Sequence, residues 1–151
     1  MATPSTSTLR QRRAVAQTVL PAATRRDAPR LRVLVVATFL ITGAAHFAMP
    51  DRLAAIVPPW LPRPVLLVYL SGAAELAGAL GLCQRSTRAW AGWGLMSLLV
   101  AVFPANVQML ANARQSAAPG WWQVALTLRL ALQPILIWLV WRAAALGAGK
   151  R

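Results

Sequence analysis

Five polar side chains lie inside stretches of this sequence that are otherwise apolar: His46, Glu75, Asn106, Arg129 and Gln133. Glu75 is one of only three acidic residues in the chain and falls near the middle of the run Val65–Cys83. A carboxylate at mid-bilayer costs roughly 2.5–3.5 kcal/mol on insertion scales, so it needs a partner or a use. Arg129, inside the run Trp121–Leu146, is the oppositely charged partner the sequence offers. Such a pair, with a histidine and two amides around it, can hold the polar head of a small molecule. It can equally lock helix packing and bind nothing. No nucleophile–base pair can be read, so no catalytic residue is assigned and a stand-alone enzyme is the least supported class. One His and one Glu fall short of a metal site, and a single histidine excludes bis-His haem. The lone Cys83 excludes an intramolecular disulfide, a CxxC redox pair and a cysteine-based zinc site.

Positioning these groups calls for helices that cross a membrane. With 58% hydrophobic and 13% charged residues in 151, the chain is one unit too apolar for an ordinary soluble domain. Four apolar spans stand out, at 33–49, 65–83, 89–113 and 121–146. Each is near or beyond the ~20 residues that span a bilayer core, the first being the shortest. Backbone groups cannot go unpaired in lipid and nothing alternates like a barrel strand, so an all-α four-helix transmembrane bundle is predicted. Short connections make neighbouring helices antiparallel.

Charge orients the bundle. Seven basic residues precede Val33; with Arg85, Arg88, Arg142, Lys150 and Arg151 they make twelve on one side. Arg52, Arg63 and Arg114 make three on the other. The excess places both termini in the cytoplasm. Trp90 and Trp93, Trp121 and Trp122, and Trp138 and Trp141 fall at span ends, as interfacial belts require. The net charge of +13 is therefore membrane-flanking, with no fold to present it to a nucleic-acid groove. Residues 1–32, rich in Arg and small polar residues, form a basic, disordered arm near anionic headgroups, with an organellar transit peptide as the alternative. Residues 147–151 are a basic tail. Fifteen Arg to one Lys suits a GC-rich bacterial genome and hence a bacterial inner membrane.

In that orientation the buried polar groups converge. Measured from the outer ends of their spans at 1.5 Å per residue, His46 lies about 5 Å down, Asn106 about 10 Å, Arg129 about 12 Å and Glu75 about 15 Å. Gln133 is one turn deeper than Arg129. Ser71, Gly72, Glu75, Gly78 and Ala79 share a face whose small residues mark close helix contact, so Glu75 points inward. Thr42, Gly43 and His46 share a face on the first span. Pro104 and Pro134 stand beside Asn106 and Gln133 and should free the carbonyls of Val100 and Leu130. A polar pocket in the outer half of the bilayer is the expectation. Above it, the connection from Pro50 to Pro64 holds five of the eleven prolines. Asp51 is a candidate N-cap for a short turn through Val57. This apolar, interfacial segment, with Asp51, Ile56 and Trp60 as the lid candidates, is either a lid or a membrane anchor.

The run His46-Phe47-Ala48-Met49-Pro50-Asp51, then Ile56-Val57-Pro58-Pro59-Trp60-Leu61-Pro62, resembles the DoxX-like family of small four-span membrane proteins. Val68-Tyr69-Leu70-Ser71-Gly72 with Glu75, and Val102-Phe103-Pro104-Ala105-Asn106, continue the resemblance, which covers roughly residues 42–142. It implies a four-span fold and, through distant relatives in quinone-reducing systems, a quinone as ligand and a redox protein as partner. It supplies no catalytic residues. Three functions stay open: a pocket for a small amphipathic molecule, serving a redox partner; a structural or assembly subunit, including a homo-oligomer, with a packing Glu75–Arg129 pair; and a small-molecule permease.

Overall fold

The computed structural model describes residues 23–144, with side chains from residue 29 onward, and contains no strand among them. Helix α1 is Ala23–Ala48, α2 Pro50–Ala54, α3 Pro64–Cys83, α4 Arg88–Ala101, α5 Phe103–Gln115 and α6 Gly120–Ala143. Helices α4 and α5 are two halves of one span, Arg88–Gln115. With Pro29–Ala48, Pro64–Cys83 and Gly120–Ala143 they give four helices long and apolar enough to cross a membrane. The protein is the all-α four-helix membrane bundle its apolar runs predict.

Two boundaries differ from expectation. Helix α1 starts at Ala23 rather than Val33, so residues 23–32 continue the helix instead of belonging to a disordered arm. The extension contains Pro29, whose missing N–H removes one intrahelical bond, so helix propensity alone does not account for it. Residues 1–22 of the expected arm, the end of the fourth span beyond 144 and the tail 147–151 lie outside the described residues. The third span is also broken. Pro104 has no N–H and its ring crowds the carbonyl of Val100, so α4 stops and α5 restarts with Val102 as shared cap and Pro104 in its first turn.

Close crossings hold α1 and α4 against α3. A Cβ on Gly72 would sit 2.6 Å from His46 Cβ, and one on Gly43 would sit 3.1 Å from the Gly72 carbonyl oxygen, so only glycines allow this approach. Gly78 and Gly81 do the same for α4, where added Cβ atoms would meet Leu95 and Ala91. In a membrane such van der Waals contact is the main attraction between helices, since lipid tails are as apolar as leucine.

At the end of the bundle that carries the 84–87 connection, all four spans converge. Val35, Phe39, Ala79, Leu82, Leu95, Leu99 and Val140 form a continuous core there. Two arginines cap helix ends beside it: Arg32 Nε donates to the Ala143 carbonyl at 3.0 Å and Arg88 Nε to that of Leu82 at 3.1 Å. A cation at a helix C-terminus satisfies an orphan carbonyl and opposes the negative end of the dipole. Toward the other end the bundle divides. Helices α1 and α3 stay paired, while α5 packs on α6 through a separate small core of Leu110, Ala113 and Leu126. The gap between the two pairs is the important feature of the fold.

Candidate functional site

The gap is a cavity of about 1040 Å³. His46, Glu75, Asn106, Arg129 and Gln133 all line it, together with Thr38, Thr42 and Ser71. The rest of the wall is apolar, supplied by residues such as Phe39, Val68, Leu98, Leu132 and Leu136. Its size is at the upper end of ordinary small-molecule pockets, and a mostly apolar wall with a few convergent polar groups is their usual composition.

Glu75 and Arg129 share the cavity, but the direct ion pair expected between them does not form. Glu75, only 7% exposed, meets the hydroxyl of Thr42 on the neighbouring helix through Oε2. Arg129 donates from Nε to Asn106 Oδ1 at 3.2 Å. The reason lies in the division of the bundle: Glu75 stands on the α1–α3 pair and Arg129 on the α5–α6 pair, and each finds a partner within its own pair. The sequence offered Thr42 as a candidate through its place on the His46 face. Attention to opposite charge passed over it.

Asn106 and Gln133 form one directed chain. Asn106 Nδ2 donates to Gln133 Oε1 at 2.9 Å, and Gln133 Nε2 donates to the Leu99 carbonyl at 2.5 Å. The orientation of both amides is fixed from the ends, because a guanidinium can only donate and a carbonyl can only accept. Gln133 must turn its amide to Leu99 and its oxygen to Asn106, and Asn106 must turn its oxygen to Arg129. The Leu99 carbonyl is at the α4–α5 break, one residue before the Val100 carbonyl expected to be freed there. A broken helix releases acceptors over its whole last turn, so which one is used depends on which side chain reaches it. Helix α6 itself continues through Pro134 without a break.

His46 Nδ1 lies 2.7 Å from the Thr42 carbonyl. That oxygen can only accept, so Nδ1 carries the proton, leaving Nε2 as the second ring position on the cavity wall. Thr42 thus touches both neighbours, through its carbonyl to His46 and its hydroxyl to Glu75.

The roof is partly as expected. Ile56 lines the cavity with Leu53, Val57, Pro58 and Leu61. Asp51 and Trp60 do not: Asp51 is exposed and Trp60 is 71% exposed, both facing away from it. Nor is Asp51 the N-cap, which is Met49, because Pro50 takes the first helical position with its preset φ and missing N–H. The turn closes with Val57 N–H on the Ala54 carbonyl at 3.1 Å, and Pro58 stops any extension. Asn112, which sequence reasoning missed, ties this roof to α5 by donating Nδ2 to the Ala55 carbonyl at 3.1 Å. A polar residue one position before the end of the third span was its only signal.

Fold and site together define a membrane protein of four apolar helices with a polar-ended cavity between two helix pairs. Residues 34–144 match the family described as a domain of unknown function, DUF8561, and the chain belongs to that family. No curated protein and no solved structure matches it.

Proposed function

We propose that this is a binding protein of the bacterial inner membrane, with both termini cytoplasmic and the cavity in the outer half of the bilayer, and that the cavity holds one small amphipathic molecule. The observation that carries the reading is the cavity itself. Its polar groups gather along Thr42–Glu75 and Arg129–Asn106–Gln133, while the remaining wall is apolar. A pair that served only to lock packing would bring Glu75 and Arg129 together and close the space. Here they face it from two walls. The DoxX-like motifs support placing the protein beside a redox system, and a quinone is the ligand class that resemblance suggests.

The test is chemical. Protein purified in a mild detergent is extracted and the organic phase compared with that of Ala105→Phe, which fills the cavity from its α5 wall. A compound enriched in the unsubstituted protein and missing from the variant supports the proposal. Identical extracts containing only bulk lipid contradict it.

A further inference from the structure

We propose that the occupant is an amphipathic anion whose carboxylate-like head is held by Arg129. This deepens the reading of the cavity as a binding site and rests on it, with a charged head in place of the quinone that the DoxX-like resemblance suggests. The starting point is the unused part of the guanidinium. Nε is engaged by Asn106, but the Nη groups make no hydrogen bond among the described residues, although the side chain lines the cavity. A guanidinium does not deprotonate in proteins, so a fixed positive charge stands on an exposed side chain at the cavity wall with one planar two-donor edge free.

No carboxylate is bonded to it among the described residues. Glu75 is the only acid on the cavity wall, and it is bonded to Thr42 on the opposite helix pair. The two amides are already committed, Asn106 to Arg129 and Gln133, and Gln133 to Asn106 and Leu99. Their effect is to aim Arg129.

A planar oxyanion matches the free edge with two parallel charge-assisted bonds, the strongest interaction available to this group. A neutral carbonyl would take one weaker bond and leave the charge unpaired. Phe39, Leu98, Leu132 and Leu136 supply the wall for an apolar tail. Head and tail requirements together specify a carboxylate-headed amphiphile.

The probe is a medium-chain carboxylic acid carrying a mid-chain diazirine, compared with the matching primary alcohol, on the full chain in nanodiscs of neutral lipid. Labelling at cavity residues is read by mass spectrometry as a ratio to labelling at Leu80, which faces outward. The acid should exceed the alcohol by about tenfold at cavity positions, the size of one charge-assisted interaction. Arg129→Met should erase that preference and Arg129→Lys should keep part of it. Equal cavity labelling by acid and alcohol in the unsubstituted protein overturns the anion assignment while leaving the cavity as a site. So does full displacement of the acid by a short-tailed neutral quinone. Absence of cavity labelling by either probe, with normal labelling at Leu80, overturns the binding-site reading as well.

Discussion

A single methyl group at position 72 should loosen the wall that carries Glu75. The Cβ of an alanine there would lie 2.6 Å from His46 Cβ, 3.0 Å from Phe47 Cε2 and 3.1 Å from the Gly43 carbonyl oxygen. His46 Cβ is fixed to its backbone and cannot rotate away. Restoring an ordinary contact of about 3.5–4 Å therefore requires α1 to move off α3 by roughly 1 Å. Overpacking of this kind costs about 1–3 kcal/mol. Gly94 is the internal control, because a Cβ there meets nothing within 4 Å. Gly94→Ala should be neutral or stabilising by up to ~1 kcal/mol, the helix-propensity difference. Both variants can be compared by reversible unfolding in mixed micelles. Gly72→Ala should lose stability, and the Thr42–Glu75 contact should weaken with it. Equal stability for the two variants would refute the close-crossing account of α1 and α3.

Other outcomes follow from single features. Gln133→Leu removes two bonds and strands the Leu99 carbonyl and Asn106 Nδ2; bonds between membrane helices average about 0.6 kcal/mol and reach about 1.7, so a loss of roughly 1–3 kcal/mol is expected in the same unfolding assay. Ala117→Gly should stabilise the protein by up to ~1 kcal/mol in that assay. Ala117 sits at φ 49° after α5, with Ala118 N–H on the Ala113 carbonyl and Ala117 N–H on that of Arg114, the bond pair that favours glycine at this position. Reporter fusions after residues 58 and 117 should both report the outer side of the membrane, as the distribution of basic residues requires. A cytoplasmic report from both would reverse the orientation.

The four spans were legible because length and hydropathy determine them almost alone. Their ends were less so. That α1 starts at Ala23 depends on helix propagation beyond the apolar run, which hydropathy does not register. The five polar residues could be assigned to one region from helical rise alone, and all five do line the cavity. Their pairing was not legible. Opposite charge suggested Glu75 with Arg129, whereas the actual partners, Thr42 and Asn106, depend on which helices pair where the bundle divides. Charge says which groups attract; helix packing decides which can reach. The roof shows the same limit. Asp51, Ile56 and Trp60 were all lid candidates, but the turn geometry imposed by Pro50 and Pro58 sends only Ile56 inward.

Whether Glu75 and Arg129 are two walls of an open site or halves of a packing lock is measured most directly by a double-mutant cycle. Glu75→Gln, Arg129→Met and the double variant are unfolded under identical conditions and their coupling free energy taken. Separate partners predict near-additive effects, with coupling below about 1 kcal/mol. A buried ion pair predicts that each single change costs about 3–5 kcal/mol and that the double variant recovers most of the loss. Recovery of that size would show the two residues in contact, and the open cavity between them would have to be abandoned.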